Sequence, residues 1–373
     1  MTQTAIEAAE SKETKPPLSL ANLATWVLGG GLVLLFALWL VFKAVQVPVQ
    51  FTSAIVVGVN NGALYALIAL GYTLVYGIIE LINFAHGDLF MLSTILAAAV
   101  IVTLFGATSA NFAAIGVVVI ALLVVMTFGA VSANFAAIGV VLIALAVVMT
   151  FGASLNMGAE RLAYRRLRRA PKLAPLITAV GLSFAYQFFG VFFNGSAQKS
   201  WPQILGDTGF NVGSVRIAWS TIVVILITVP LLLVMTWFVT STRQGKAMRA
   251  TAQDQDAARL MGIDVDRTIA VTFALGGALA GAAGVLYMQA NGITRWDAGF
   301  RLGLIAFTAA VLGGIGNLTG AVLGGFLIGV IENINNSLGL GQAWGQTVIF
   351  GILITLMVFK PEGILGKPTT EKV

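Results

Sequence analysis

The sequence predicts an all-α, polytopic membrane protein of about nine to eleven transmembrane helices, some of them broken by glycine. Three observations carry that expectation. Of the 373 residues, 58% are hydrophobic and only 10% are charged, against roughly 25% charged in an average soluble domain. Apolar runs recur at the ~20-residue length that ~30 Å of hydrocarbon demands of a helix. Between them no alternating strand pattern appears, and only helices or closed barrels satisfy their backbone in lipid. Polar residues are too few to cover a soluble surface of this size. The composition therefore excludes a disordered chain, a disulfide scaffold and an ordinary soluble enzyme. Cysteine is absent, which removes thiolate metal sites and cysteine nucleophiles.

Spans are expected near 24–42, 53–76, 87–105, 112–128, 135–153, 173–193, 217–240, 268–290 and 344–360, with a glycine-broken apolar region over 303–338. Residues 1–23 read as a tail, 24–360 as a single membrane domain and 361–373 as a second tail. The first span does not read as a cleaved signal peptide. Its upstream tail mixes Glu7, Glu10 and Glu13 with Lys12 and Lys15, its apolar core is long, and no small-x-small cleavage site follows it.

The basic residues are grouped. Segment 160–172 holds six Lys/Arg, segment 241–267 holds five and the tail from Lys360 holds three. The segments 194–217 and 291–302 hold two each. Cytoplasmic loops carry the excess of Lys and Arg, so the first three segments are expected inside and the last two outside. That assignment requires 303–338 to enter and leave on the outer side. The net charge of +6 is then an orientation signal and not a nucleic-acid patch. The seven Trp fall near span ends or in short loops, as an interfacial belt requires.

Residues 105–127 and 128–150 match at 20 of 23 positions, so the second is a tandem copy of the first. One extra crossing would invert every helix upstream. No ionisable side chain lies between Leu89 and Ala159, so charge does not fix the parity.

Few ionisable groups remain at membrane depth: Glu80, His86, Asp88 and Glu332. Such groups are costly in lipid and usually face a cavity or a partner. Three of them, with Asn83, fall in IIELINFAHGDLFM, residues 78–91. This stretch is either an interfacial turn between two spans or a polar break lining a transport path. A second unusual stretch, 302–329, holds eight glycines, including Gly313-Gly314 and Gly316-Asn317. Glycines at this density serve tight helix packing or a break into half-helices. Under the path reading the candidate residues are Asn60, Asn83, His86, Asp88, Gly313, Gly314 and Asn317.

Segment 241–267, STRQGKAMRATAQDQDAARLMGIDVDR, is the longest strongly polar stretch between spans. Its middle is rich in helix formers. One helix over 246–261 would align Met248, Ala252, Leu260 and Met261 as an apolar stripe, and Gly262 suits its C-terminal stop. Such a helix either lies on lipid or docks into a partner's groove. The acidic residues Asp254 and Asp256 favour docking. The candidate contact residues are Arg249, Ala252, Asp254, Leu260 and Gly262. No phosphate-binding GxxxxGK[ST] loop, no HExxH, no nucleophile elbow and no metal-spaced cluster occurs, so neither a catalytic residue nor a metal site is expected.

The run NNGALYALIALGYTLVYGIIELINFAHGDLFM (60–91) resembles the signature of the LivH-type permeases, membrane subunits of ATP-binding-cassette importers for branched-chain amino acids. The stretch 249–287, FTAAVLGGIGNLTGAVLGG (307–325) and FKPEGILGK (359–367) are similar to the same family. The resemblance covers about 50–104 and 155–367. The span 24–42 looks additional to the common core, the duplication is atypical, and the loop lacks the EAA spelling of many other importers. The resemblance implies a conduit worked by others. Two cytoplasmic ATPases would bind the 246–262 helix and carry the ATP, with no cofactor on this chain. A LivM-like second permease would complete the pore, and an extracellular binding protein would deliver substrate to 194–217 and 291–302. The setting implied is a bacterial inner or plasma membrane with a cytoplasmic C-terminus. Importers of urea or short amides share these motifs. From another class, an ion-coupled secondary transporter would use Asp88 or Glu332 as its coupling site.

Overall fold

The computed structural model of the chain describes residues 20–80, 83–104, 133–168, 170–171, 173–200, 209–360 and 362–366. The expected span at 112–128 and the first copy of the duplication lie outside the described residues, as do Trp201 and both extreme tails. Seven described helices are long and apolar enough to cross a membrane, and three shorter apolar helices accompany them. The protein is all-α and polytopic, as its composition requires. The chain divides into two compact units, 1–48 and 49–373. The first contains α1 (Leu20–Gln46), which takes in the span expected at 24–42. In it Phe36 stacks on Trp39 with ring centroids 5.9 Å apart.

The second unit opens with α2 (Pro48–Ile79) and α3 (Ala85–Leu104), joined through Glu80–Phe84. Then come α4 (Ala133–Ala159), continued by a π-helical turn at Glu160–Tyr164, and α5 (Leu173–Asn194). Short strands β1 (Lys199–Ser200), β2 (Gly209–Val212) and β3 (Val215–Ala218) precede α6 (Trp219–Ser241). Two short helices follow, α7 (Arg243–Gln253) and α8 (Gln255–Leu260), and then α9 (Val265–Asn291). The chain ends with β4 (Ile293–Thr294), α10 (Ala298–Gly313), α11 (Leu318–Leu338) and α12 (Gly345–Phe359). The helices α2 and α9 form the centre, with 83% and 78% of their apolar windows buried inside the protein. By contrast α6 and α12 lie at the rim, where Leu226, Leu233, Trp237 and Met357 are exposed.

Hydrophobicity does not drive helices together in lipid, so close packing must. Glycine supplies it here. Gly58 and Gly62 of α2 meet Gly325 and Gly329 of α11 backbone to backbone: a methyl on Gly62 would lie 2.7 Å from the Phe326 Cα. Gly58 faces Val330 and Ala66 faces Gly325, so α2 and α11 are antiparallel. Gly87 of α3 meets Gly303 of α10 while Met91 meets Gly299, and this pair is antiparallel too. In α4 and α9, Gly152 faces Gly277 and Val148 faces Gly281, again antiparallel. His86 and Gly276 both lie beside Gly71, and Ser93 lies beside Gly284, so α3 runs parallel to α9. It follows that α3 and α4 are antiparallel, and that Leu104 and Ala133 lie at the same end of the bundle.

The other end is basic. Arg165 and Arg168 pair with Asp266 at the start of α9, and Arg168 also pairs with Glu160. The α10–α11 turn lies at this end, held to the chain's last described residues by Ile364 N–H donating to the Leu312 carbonyl at 2.8 Å. Thus α10 starts and α11 finishes at the opposite end. There β1 pairs with β4 and brings the 194–200 and 291–297 segments together, while β2 and β3 form a hairpin.

The account of α2–α11 makes a checkable statement. Gly62→Leu forces the two backbones apart and should cost about 1–3 kcal/mol or more, read as a lower thermal unfolding midpoint in detergent. Gly181→Ala, whose added methyl meets nothing within 4 Å, should not lower it. An unchanged midpoint for Gly62→Leu would contradict the packing described.

Candidate functional site

The first turn of α3 begins inside the bundle. His86 sits level with Gly71, two turns before the end of α2, so α3 starts within the protein and not at the level where α2 ends. Asn83, His86 and Asp88 are accordingly buried, at 3%, 1% and 0% exposure. They are not an interfacial turn. Glu80, by contrast, is exposed and lies in the left-handed region at φ 52°.

Each buried polar side chain reaches a different neighbour. Asn83 Oδ1 accepts a hydrogen bond from Tyr164 Oη at 2.7 Å, on the π-helical turn after α4. The His86 ring meets Tyr72 of α2 edge-on, 4.7 Å between centroids, in space that Gly71 leaves free: a methyl there would be 2.5 Å from His86 Nε2. Asp88 accepts from Ser183 Oγ and, at 3.1 Å, from Gln187 Nε2, both on α5. Its carboxylate also lies in the first turn of α3, where the helix dipole favours negative charge. The start of α3 thus packs on α2 through the His86 ring and is hydrogen-bonded to the turn after α4 and to α5. Sequence reasoning missed Ser183, Gln187 and Tyr164. The first two had a signal: they stand four residues apart, on one face of an otherwise apolar helix.

The other expected path residues lie elsewhere. Asn60 is buried in α2, about 16 Å along the helix axis from Gly71 at 1.5 Å per residue. Gly313, Gly314 and Asn317 form the α10–α11 turn at the basic end. Gly314 has φ +104°, and a methyl on it would lie 2.5 Å from Gly366 N. Asn317 accepts from Gly320 N–H at 3.1 Å, capping α11, and donates to the Leu365 carbonyl at 2.7 Å. Their observed work is to turn the chain sharply and to seat its C-terminal segment. A further polar place lies at the end opposite the basic segments, a cleft of about 480 Å³ reached by Tyr65, Arg301 and Glu332. Glu332 accepts from Tyr65 Oη at 2.6 Å. At its margin Arg295 grips Asp297 with two hydrogen bonds and holds that carboxyl below the usual carboxylate range. Among the described residues, no three His, Cys, Asp or Glu side chains converge as a metal site would need.

At the basic end the single helix expected over 246–261 is two. Asp254 takes an extended conformation (φ −156°) and its side chain caps α8, accepting from Asp256 N–H at 2.9 Å and Ala257 N–H at 3.0 Å. The expected apolar stripe is divided accordingly. Met248 is buried and Ala252 packs on the core, whereas Leu260 and Met261 are 89% and 82% exposed. Arg249 donates to the Val239 carbonyl at the end of α6. Gly262 has φ +81° and ends α8, with Ile263 N–H reaching back to the Ala258 carbonyl at 3.0 Å, the helix stop that glycine permits.

The family described as branched-chain amino acid transport system / permease component matches residues 54–357. The chain belongs to this family. It is 37% identical over 332 residues to the high-affinity branched-chain amino acid transport system permease protein BraD of Pseudomonas aeruginosa, covering 87% of this chain and 98% of that protein. It is 38% identical over 324 residues to the permease protein LivH of Salmonella typhimurium and 37% over 321 residues to LivH of Escherichia coli K12, each covering 85% of this chain and 96% of the relative. No solved structure matches significantly. Within this permease family the chain is a multi-pass membrane protein, and the polar first turn of α3 lies inside the matched region.

Asp88→Leu should leave the Ser183 and Gln187 groups buried without their partner, at about 1–3 kcal/mol, while Asp88→Asn keeps one acceptor oxygen for Gln187 and offers an N–H that the Ser183 hydroxyl can accept. Thermal unfolding of the two variants checks this, and equal midpoints would mean that the α3–α5 contact contributes nothing.

Proposed function

We propose that the chain is the permease subunit of an ATP-binding-cassette importer that moves branched-chain amino acids across a bacterial cell membrane. The observation that carries the reading is the 37–38% identity, over nearly the full length of the relatives, to permeases named for that transport. The chain carries no phosphate-binding loop of its own, so ATP is bound and hydrolysed by two separate cytoplasmic ATPases. A second, LivM-like permease completes the pore, and an extracellular binding protein supplies the substrate.

The basic end is cytoplasmic by the charge rule, and with it α7, α8 and the C-terminus. The ATPases dock on α8 and the residues after it. Leu260 and Met261 offer a groove-filling apolar pair, with Asp254, Arg259 and Gly262 around them. Behind that face α7 packs against α6 and α9. Gly245 lets it fold tightly back, since a methyl there would lie 2.2 Å from the Val239 carbonyl oxygen. A push on α8 is therefore delivered to two membrane helices through packed contacts. Asn83, His86 and Asp88 lie where α2, α4 and α5 meet α3, and they line the path those helices open. The binding protein faces the opposite end, at 194–217 and 291–302.

Two measurements test the reading. Replacing Leu260 and Met261 together by Asp should abolish co-purification of the ATPases without lowering the permease's own unfolding midpoint, because both side chains are exposed; retained co-purification would rule out this docking face. In cells expressing the complete system, unlabelled isoleucine or valine should displace labelled leucine uptake and urea should not. Displacement by urea alone would assign the other cargo.

A further inference from the structure

We propose that the cleft between α2, α9, α10 and α11, at the end opposite the basic segments, binds a zwitterionic amino acid, its ammonium on Glu332 and its carboxylate on Arg301. The proposal rests on the reading of the chain as an amino-acid permease and adds a substrate site to it.

The cleft holds about 480 Å³ and combines charged, amide and apolar walls. Glu332 is 5% exposed and receives one hydrogen bond, from Tyr65 Oη at 2.6 Å. No cation pairs with it among the described residues. The Arg301 guanidinium acts on it through space without reaching salt-bridge distance. Burying a carboxylate without a direct ion pair is costly, and a charge kept this way within a membrane segment marks a substrate or ion site by default. Arg301 opens onto the same cleft from α10 and likewise forms no ion pair among the described residues. Its neighbour Asp297 is already taken by Arg295, so the guanidinium is left for an incoming acid. Asn336, also on the cleft, has a buried Oδ1 with no hydrogen-bond partner; an ammonium has three donors and would supply one.

Two opposite charges that share one cleft, yet stand further apart than a direct salt bridge, select a ligand that itself carries both. A simple cation would leave Arg301 unused and repelled, and a simple anion would meet Glu332. A neutral amide needs neither charge. Leu64 and Leu302 complete the wall with apolar surface for an aliphatic side chain. The strand pair β1–β4 and Thr94, hydrogen-bonded to Thr294 at 2.6 Å, hold the rim of this cleft to α3.

The test uses the purified permease complex without its binding protein, so that the binding protein's own selectivity is not measured. Leucine binding is followed by equilibrium dialysis, with leucinamide and 4-methylpentanoate as analogues lacking the acid or the amine. Leucine should bind and both analogues should bind at least about tenfold more weakly, as the loss of a charge-assisted contact implies. Arg301→Gln and Glu332→Gln should each weaken leucine binding by a similar factor, and Arg301→Lys should keep part of it. Arg301 is exposed, so its variant does not depend on refolding a buried site. If both Gln variants bind leucine within about twofold of the parent, the proposal is overturned while leucine uptake by the whole system still upholds the permease reading. A system that takes up urea and not leucine overturns both.

Discussion

Backbone contact at glycine is the constraint on which the rest of this membrane bundle depends. In lipid the apolar faces of helices gain little by leaving one apolar medium for another, so the helices are held by dispersion at short range and by shape. The contact between Gly58 and Gly62 on one side and Gly325 and Gly329 on the other brings α2 against α11. The contact between Gly87 and the pair Gly299 and Gly303 does the same for α3 and α10. With those four helices fixed, α3 can begin inside the protein, and its first turn has no solvent in which to place Asn83, His86 and Asp88. Asn83 Oδ1 and the Asp88 carboxylate accept from Tyr164, Ser183 and Gln187 instead, which ties the turn after α4 and α5 to the same point, while the His86 ring packs on Tyr72.

The spans were legible because a membrane imposes one length and one composition. Expected and observed helices differ by a few residues at their ends, and 303–338 resolves into α10, the Gly314–Asn317 turn and α11. Helix directions were less legible. The tandem repeat left the parity open, since no charge lies near it; the glycine contacts give only the directions of the described helices, with Leu104 and Ala133 at one end. The polar segment at the basic end was misread as one helix. Helix propensity favours continuity through Asp254, but an Asp that caps the next helix competes with it. The break turns Leu260 and Met261 outward while Met248 and Ala252 stay with the bundle.

The candidate site was legible in part for a related reason. Strongly polar residues are so rare in the spans that Asn83, His86 and Asp88 stand out, and all three are buried at the start of α3. What they touch was not legible, because Tyr164, Ser183 and Gln187 lie some 80 to 100 residues away in sequence. The glycines and Asn317 after Gly313 looked like a break serving a path. Gly314 and Gly316 take positive φ and Asn317 donates to the Leu365 carbonyl, so the stretch turns the chain and seats the C-terminal segment. The cleft of Arg301 and Glu332 is assembled from residues of four helices; Glu332 stood out in the sequence, but its partners Tyr65 and Arg301 did not.

The central claim is that this permease moves its substrate only as one part of an ATP-driven assembly. The most direct test is uptake of labelled leucine into proteoliposomes holding either this chain alone, under a proton or sodium gradient, or this chain with the second permease, the ATPases, the binding protein and ATP. The account predicts no accumulation in the first case, and accumulation in the second that stops when ATP is withheld. Gradient-driven accumulation by the chain alone would contradict it.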